Sequence, residues 1–177
     1  MHYIIGLGNP GEEYSKNRHN AGKMAVEFFS HKTELLDRKF KIIDSKEYMN
    51  HSGKAVAKFM KSKKAAENLI VVYDDIDLPL GTIKISYNKG TGGHNGLESV
   101  VKAVKTKEFT RIRIGITPTT PSGKIKKPQG EKKVLDFLLS NFSAAQLEII
   151  KKVFKDVRGA IEMIVEEGRD RAMNQYN

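Results

Sequence analysis

Apolar and polar positions along this chain follow two rhythms. Residues 2–8 form a short apolar run broken by glycines, the pattern of a strand buried on both faces. Met24, Ala25, Phe28 and Phe29 then recur at helical spacing and predict a helix over residues 21–31. A second strand is expected over residues 40–44, after which Ser52 is placed to cap a helix with Ala55, Val56, Phe59 and Met60 on its apolar face. Residues 69–73 are a continuous apolar run, DDIDLPLG (74–81) reads as a turn, and residues 82–87 alternate as a strand. The glycine-rich stretch NKGTGGHNG (88–96) opens a helix with Leu97, Val100, Val101 and Val104 on one side. Residues 111–116 alternate, with Ile112, Ile114 and Ile116 on one face, and residues 117–131, with three prolines, two glycines and three lysines, read as a mobile basic loop. A short helix over 134–139 precedes Ser143 and Gln146, a capping-box pair. The long helix that follows carries Leu147, Ile150, Phe154, Val157, Ile161 and Val165 as its stripe, and the last ten residues read as a polar tail.

Strands alternating with helices predict an α/β domain, a twisted, largely parallel sheet between helices. With 177 residues, no repeats and no linker, a single domain over 1–177 is expected. Sites in such sheets lie at the carboxyl ends of strands. GLGNPG, DDID and GTGGHNG, the three unusual loops, are expected there.

Composition narrows the functional classes. No apolar run approaches the roughly 18–20 residues needed to span a bilayer, and the first residues lack a charged segment followed by a long apolar stretch, so no signal peptide is expected. The absence of cysteine removes disulfides, thiolate nucleophiles and cysteine-based metal or redox sites, and fits a cytoplasmic protein. The net charge is +10, and residues 84–133 hold 12 Lys/Arg against 3 Asp/Glu, a net +9 in one block. Positive charge concentrated in this way suggests a polyanion, most simply nucleic acid.

Several residues carry candidate chemistry. GLGNPG matches the dinucleotide fingerprint only loosely. Pro10 interrupts it, no apolar helix starts after Gly11, and Asp44 comes too late to serve as the ribose carboxylate. A tight turn explains the glycines but not Asn9, whose amide offers donors and an acceptor at a strand end. His19 is the best general base, since imidazole titrates near neutrality, and its place at a helix start should favour the neutral form. No serine lies in a G-x-S-x-G elbow. Asp74, Asp75 and Asp77 could ligate a metal or orient a histidine. Asp74, nearest the strand, is the expected partner for His19. Asn50 stands just before a helix, and His94 and Asn95 sit beside backbone amides at a helix N-terminus, which suits a phosphate or an oxyanion.

Taken together, GLGNPGEEYSKNRHNAG, YMNHSGKAV, DDIDLPLGTIKI and GTGGHNGLES, in that order, resemble the signatures of the bacterial-type peptidyl-tRNA hydrolases, and FTRIRIGI is similar to the strand that follows them. The resemblance covers residues 1 to about 116. It implies a three-layer α/β/α fold with a mixed sheet, a monomer, no metal or other cofactor, and hydrolysis of the ester joining a peptide to the 3′ ribose of tRNA. It also implies roles. His19 matches the base and Asp74 the aspartate that orients it. Asn9, Asn50 and Asn95 match the asparagines that hold substrate and water; Tyr14, Met49 and His94 match residues of the same crevice. Lys84, Lys89, Lys102, Lys105 and Arg113 would form the tRNA face, with Arg113 on the terminal 5′ phosphate. Ser86 departs from the lysine or arginine often found there, which leaves Lys84 or Lys89 to complete a phosphate clamp. Asn17 stands where the family usually has threonine.

Two other readings compete. An RNA-binding relative that has lost catalysis would need only the basic face and not the set His19, Asp74, Asn9, Asn50 and Asn95. A nucleotide-dependent oxidoreductase would have to bind a nicotinamide cofactor through GLGNPG.

Overall fold

The computed structural model describes residues 1–30 and 39–177. Strands β1 (His2–Gly6), β2 (Phe40–Ile42), β3 (Leu69–Pro79), β4 (Ile83–Tyr87) and β5 (Thr110–Thr117) form one sheet in the order β2-β1-β3-β5-β4. All neighbours run parallel except β4, which is antiparallel to β5. Helices α1 (Ala21–Ser30), α2 (Ser52–Ala57), α3 (Lys63–Ala66), α4 (Asn95–Val104), α5 (Glu131–Leu139), α6 (Ala144–Glu167) and α7 (Arg169–Tyr176) complete the described elements. His31, the last residue of the expected first helix, lies outside the described residues.

The period-2 alternation of strand side chains sorts the core into two halves. Ile4, Ile70, Val72, Ile85, Ile112, Ile114 and Ile116 pack against α1 and α6. Ile5, Leu7, Leu69, Val71 and Tyr73 face the other way, against α2 and α4. The result is the expected three-layer arrangement with a mixed sheet. The capping box of α6 forms between Ser143 and Gln146, and the helix buries Ile150, Val153, Phe154, Val157, Ala160, Ile161 and Ile164.

The start of α1 is pressed against the sheet. A Cβ on Gly22 would lie 2.2 Å from the carbonyl oxygen of Val72, and one on Gly6 would lie 2.3 Å from that of Gly22. Lys23 N also donates to Leu7 O at 3.0 Å. Two glycines thus let helix and strand backbones meet, which fixes the short 3₁₀ turn Arg18–Asn20 just ahead of α1.

Four expectations change. DDIDLPLG is not a simple turn: β3 runs on to Pro79, with an irregularity in its pairing to β5 between Asp75 and Pro79. The extension is held by Thr117 Oγ1 donating to Ile76 O at 2.7 Å and by Leu80 N donating to Thr117 O at 2.8 Å. Ser52 does not cap α2. The chain enters through a 3₁₀ turn, Met49–His51, so Ser52 is already helical and its hydroxyl donates to Met49 O at 2.8 Å; Phe59 and Met60 fall beyond the helix. The polar tail is helix α7. It buries Ala172 and sets Arg169 3.9 Å from the centre of the Tyr87 ring. Asn177 donates to Ile85 O at 3.0 Å and accepts from Ile85 N at 2.7 Å. These contacts cover the outer edge of β4, where unpaired backbone groups invite pairing with another chain. Finally, the 117–131 segment folds back on itself, with Thr119 bridged to Ile125 and Lys126 N donating to Pro118 O at 2.8 Å. No helix among the described residues is long and apolar enough to cross a membrane.

Replacing Gly22 by alanine forces backbone out of contact at the α1–β3 crossing. The expected outcome is a loss of about 1–3 kcal/mol in unfolding free energy, as for overpacked cores, read as a lower denaturant midpoint. An unchanged midpoint would show that the crossing is loose.

Candidate active site

Asp74 ends the buried part of β3 and is 2% exposed. One of its oxygens lies 2.9 Å from His19 Nδ1 and the other 3.0 Å from His94 Nε2. A buried carboxylate accepts, so both imidazoles donate. His19 is thereby held in the tautomer with its proton on Nδ1 and its lone pair on Nε2, which has no hydrogen-bond partner among the described residues. His94 is fully engaged, since its Nδ1 also accepts from Leu97 N at 3.2 Å and caps α4. The two rings stand 4.8 Å apart, and the Tyr73 ring meets His94 edge-on at 5.0 Å.

Burial opposes charge on His19, but the Asp74 carboxylate beside it outweighs burial through its field and hydrogen bond, and the imidazole pKa rises above its ordinary value. The expected preference of a helix start for the neutral form is overridden, because a full charge at hydrogen-bond distance exceeds a partial helix-end charge. Burial opposes charge on Asp74 as well. The two imidazoles outweigh it and hold this carboxyl well below the usual carboxylate range. His19, raised on folding, stabilises fully below its unfolded pKa and loses this contribution as pH rises through the folded value. Asp74, lowered, contributes above its unfolded pKa and loses that as pH falls through the folded one. The pair therefore supports the fold best between about pH 4 and 6.5.

Asn9 is held between Asn20 and Met49. Its Oδ1 accepts from Met49 N at 2.8 Å, which leaves its Nδ2 with no partner among the described residues and free to donate. Asn20 clamps the Asn9 backbone at both ends, accepting from Asn9 N at 2.8 Å and donating to Asn9 O at 2.9 Å. Met49 is buried against α4, where Gly96 makes room: a Cβ there would lie 2.4 Å from Met49 Sδ and 3.2 Å from His94 Cε1. Asn50 and Asn95 are exposed beside this junction, in the Met49–His51 turn and in the first turn of α4. Tyr14 is half-buried in the 3₁₀ turn Glu12–Tyr14, with no side-chain bond to the other site residues.

His19, Asp74, His94 and Asn95 open into a cavity of about 250 Å³ that extends to Asp75, Ser86, Lys89 and Arg113, with Val134 and Leu138 of α5 as an apolar wall. Its floor follows from the alternation in β5. Isoleucines 112, 114 and 116 turn to the core, so Arg111 and Arg113 turn to the opposite face, beside their β4 partners Ser86 and Lys84. Arg113 Nε donates to Asp75 Oδ2 at 2.7 Å, so this guanidinium already holds a carboxylate. Ser86 is buried and its hydroxyl has no partner among the described residues. Of the expected tRNA-face residues, Lys89 and Arg113 line the cavity and Lys84 is exposed opposite Arg113. Lys102 and Lys105 are exposed toward the far end of α4, about 10 Å or more along the axis from its start at 1.5 Å per residue.

The glycine-rich loop departs from expectation. Because β4 is antiparallel, Tyr87 lies opposite Thr110, so the loop leaves at the amino end of β5 and crosses back to reach Asp74. Arg111, fully buried, tethers it on the way by donating to Gly90 O at 2.8 Å. Asn20 and Arg111 are the positions that sequence reasoning passed over, and Asp75, considered for a metal or a histidine, pairs with Arg113 instead. The only available signals were a second asparagine after Arg-His and the Ile–Arg alternation of β5.

Nitrogens of His19 and His94 and an oxygen of Asp74 lie within 4.8 Å of one another, a set that could ligate a divalent ion. In this structure the same atoms are joined by the two imidazole–carboxylate hydrogen bonds.

A family model described as peptidyl-tRNA hydrolase matches residues 3–177. The chain is similar to the peptidyl-tRNA hydrolase of Fervidobacterium nodosum, 40% identical over 98% of this chain and 94% of the relative. It is also similar to that of Thermodesulfovibrio yellowstonii, 37% identical over 100% of this chain and 99% of the relative. The crystal structure of peptidyl-tRNA hydrolase from Acinetobacter baumannii aligns with a TM-score of 0.81 at 27% identity, covering 100% of this chain and 94% of that one.

If Asp74 sets the His19 titration, Asp74→Asn removes the anion and leaves the burial. The imidazole proton resonances of His19 should then titrate at lower pH than in the wild type. An unmoved midpoint would refute the assigned coupling.

Proposed function

The chain belongs to the peptidyl-tRNA hydrolase family, and on that premise we propose that His19 is the general base and Asp74 the group that orients it. The enzyme hydrolyses the ester between peptide and tRNA, returning tRNA from stalled or aborted translation. The observation that carries the reading of its centre is the buried Asp74 carboxylate, which accepts from each of two imidazoles and leaves Nε2 of the cavity-lining His19 without a partner among the described residues.

In the reaction so read, His19 Nε2 takes a proton from water while the water oxygen attacks the ester carbonyl carbon. Asp74 stabilises the imidazolium that forms. The tetrahedral oxyanion is met by amide donors, for which Asn9 Nδ2, Asn50 and Asn95 are the candidates. One such donor is worth on the order of 100-fold in rate. Collapse breaks the bond to the ribose 3′ oxygen, which takes the proton from His19, and peptide acid and free tRNA leave. Hydrogen bonds from the asparagines to the peptide amide would distinguish peptidyl from aminoacyl esters. The same reading gives Met49 and Tyr14 to the substrate crevice, although neither lines the cavity at His19, and His94 fixes the second oxygen of Asp74. The basic block supports a tRNA face made of Lys84, Lys89, Lys102, Lys105 and Arg113, with the terminal phosphate at Arg113 and Lys89, the lysine that shares its cavity. The same reading takes the chain as a cytoplasmic, single-domain monomer that uses no cofactor or metal.

Release of an N-blocked amino acid from tRNA is the direct assay. His19→Ala should lose roughly 100-fold or more; equal rates would remove His19 as the base, and an inactive wild type would sink the esterase reading. Because the base must be neutral, kcat/KM should fall on the acid side through a midpoint above about 6.5. Arg113→Ala should raise KM for full tRNA far more than for a short 3′ fragment, and equal effects would contradict a phosphate contact.

A further inference from the structure

Arg18, beside the base, fastens the His19 turn to a distant part of the chain. Its side chain is buried, with 8% of the residue exposed. Among the described residues it meets no carboxylate: Nε donates to Ser140 Oγ at 3.0 Å and one terminal nitrogen to Gln146 Oε1 at 2.9 Å. The guanidinium carbon stands 4.7 Å from the centre of the Phe137 ring and 5.0 Å from that of Phe142. The backbone repeats the connection. Arg18 N donates to Ser140 O at 3.0 Å, Phe142 N donates to Lys16 O at 2.9 Å, and the Asn17 amide donates to Leu139 O. Every one of these partners lies at the end of α5 or the start of α6. Gln146 Oε1 also accepts from Ser143 N, so the His19 turn and the α6 cap share one acceptor.

Helix α5 has no fully buried residue, yet its Val134 and Leu138 form the apolar wall of the catalytic cavity. A nine-residue helix with so little burial is not held by its own propensity. Phe137 and Leu138 pack against the edge of the core, and the end of the helix meets Arg18. Among the described residues the other terminal nitrogen of Arg18 is buried without a partner, so the fold keeps a guanidinium here at a desolvation cost.

We propose that Arg18 is a positioning residue that docks α5 onto the His19 turn, so that the cavity wall and the base hold a fixed relation. The proposal rests on the reading of His19 as the base and extends it to the wall that faces the substrate. Arg18 does not line the cavity; it acts through His19 on one side and α5 on the other.

Arg18→Lys keeps the charge and the stem but cannot reach Ser140 and Gln146 together or stack between two rings. Amide hydrogen exchange in residues 132–139 should quicken by roughly tenfold or more, as for loss of a hydrogen bond to a charged group, while the sheet amides stay protected. Release of an N-blocked amino acid from tRNA should fall about tenfold to a hundredfold in kcat/KM, with a rise in KM as the wall loosens. Phe137→Leu removes a ring from the other side of the contact and should act in the same direction. The double variant should be no worse than the more affected single one, as expected of one shared contact. Unchanged exchange in α5, or losses that simply add, would overturn the proposal. Should Arg18→Lys fail to fold, Phe137→Leu gives the same two readouts. An inactive wild type would sink the assignment of the base, while the exchange measurement would still report on docking.

Discussion

A buried carboxylate that must keep its charge governs this structure. An isolated anion at Asp74 would be costly inside a protein. It persists because one imidazole donates to each oxygen, His19 at 2.9 Å and His94 at 3.0 Å. Those donors come from sequence positions 55 and 20 residues away, so satisfying Asp74 recruits the turn before α1 and the cap of α4. Neither histidine can leave without stranding the carboxylate. The interaction that readies the base is therefore also what joins the two helix layers at the end of β3.

Close backbone contact makes that convergence possible. Gly6 and Gly22 bring α1 onto the sheet, and Gly96 lets Met49 pack beside His94. Side chains at these points would push the three contributing loops apart by more than a hydrogen bond tolerates. The glycines that resembled a dinucleotide fingerprint are read better as packing devices: Gly6 meets α1 directly, and a Cβ on Gly8 would lie 2.7 Å from Lys23 Cβ.

Much of this was legible before the structure, for identifiable reasons. The core strands are period-2 or continuous apolar runs, and α1, α4 and α6 carry regular stripes, so local patterning named them. His19, Asp74 and Asn9 could be read because each is a polar residue at the end of an apolar element. What failed depended on distant partners. DDIDLPLG has turn composition, but β5 extends it as a strand. The tail has polar composition, but Tyr87 and Ile85 give it something to cover. The antiparallel direction of β4 has no signature in its own residues, and it alters the path of the glycine-rich loop. Arg111 read as part of the basic block, and Arg18 only as the residue before His19. Both are buried, because their partners (a hydroxyl, a side-chain amide and two rings for Arg18, two backbone carbonyls and a ring for Arg111) are ones that sequence patterning cannot pair.

The pair between Arg113 and Asp75 has a consequence for how tRNA binding would respond to salt. Most phosphate contacts gain by releasing condensed counterions, which is why affinity falls as salt rises. A guanidinium whose Nε already holds a carboxylate at 2.7 Å has less need of counterions from solution. A phosphate arriving there exchanges with an internal anion, and little of that exchange is visible to the ionic strength. A salt titration would then undercount contacts on this floor and weight the exposed lysines.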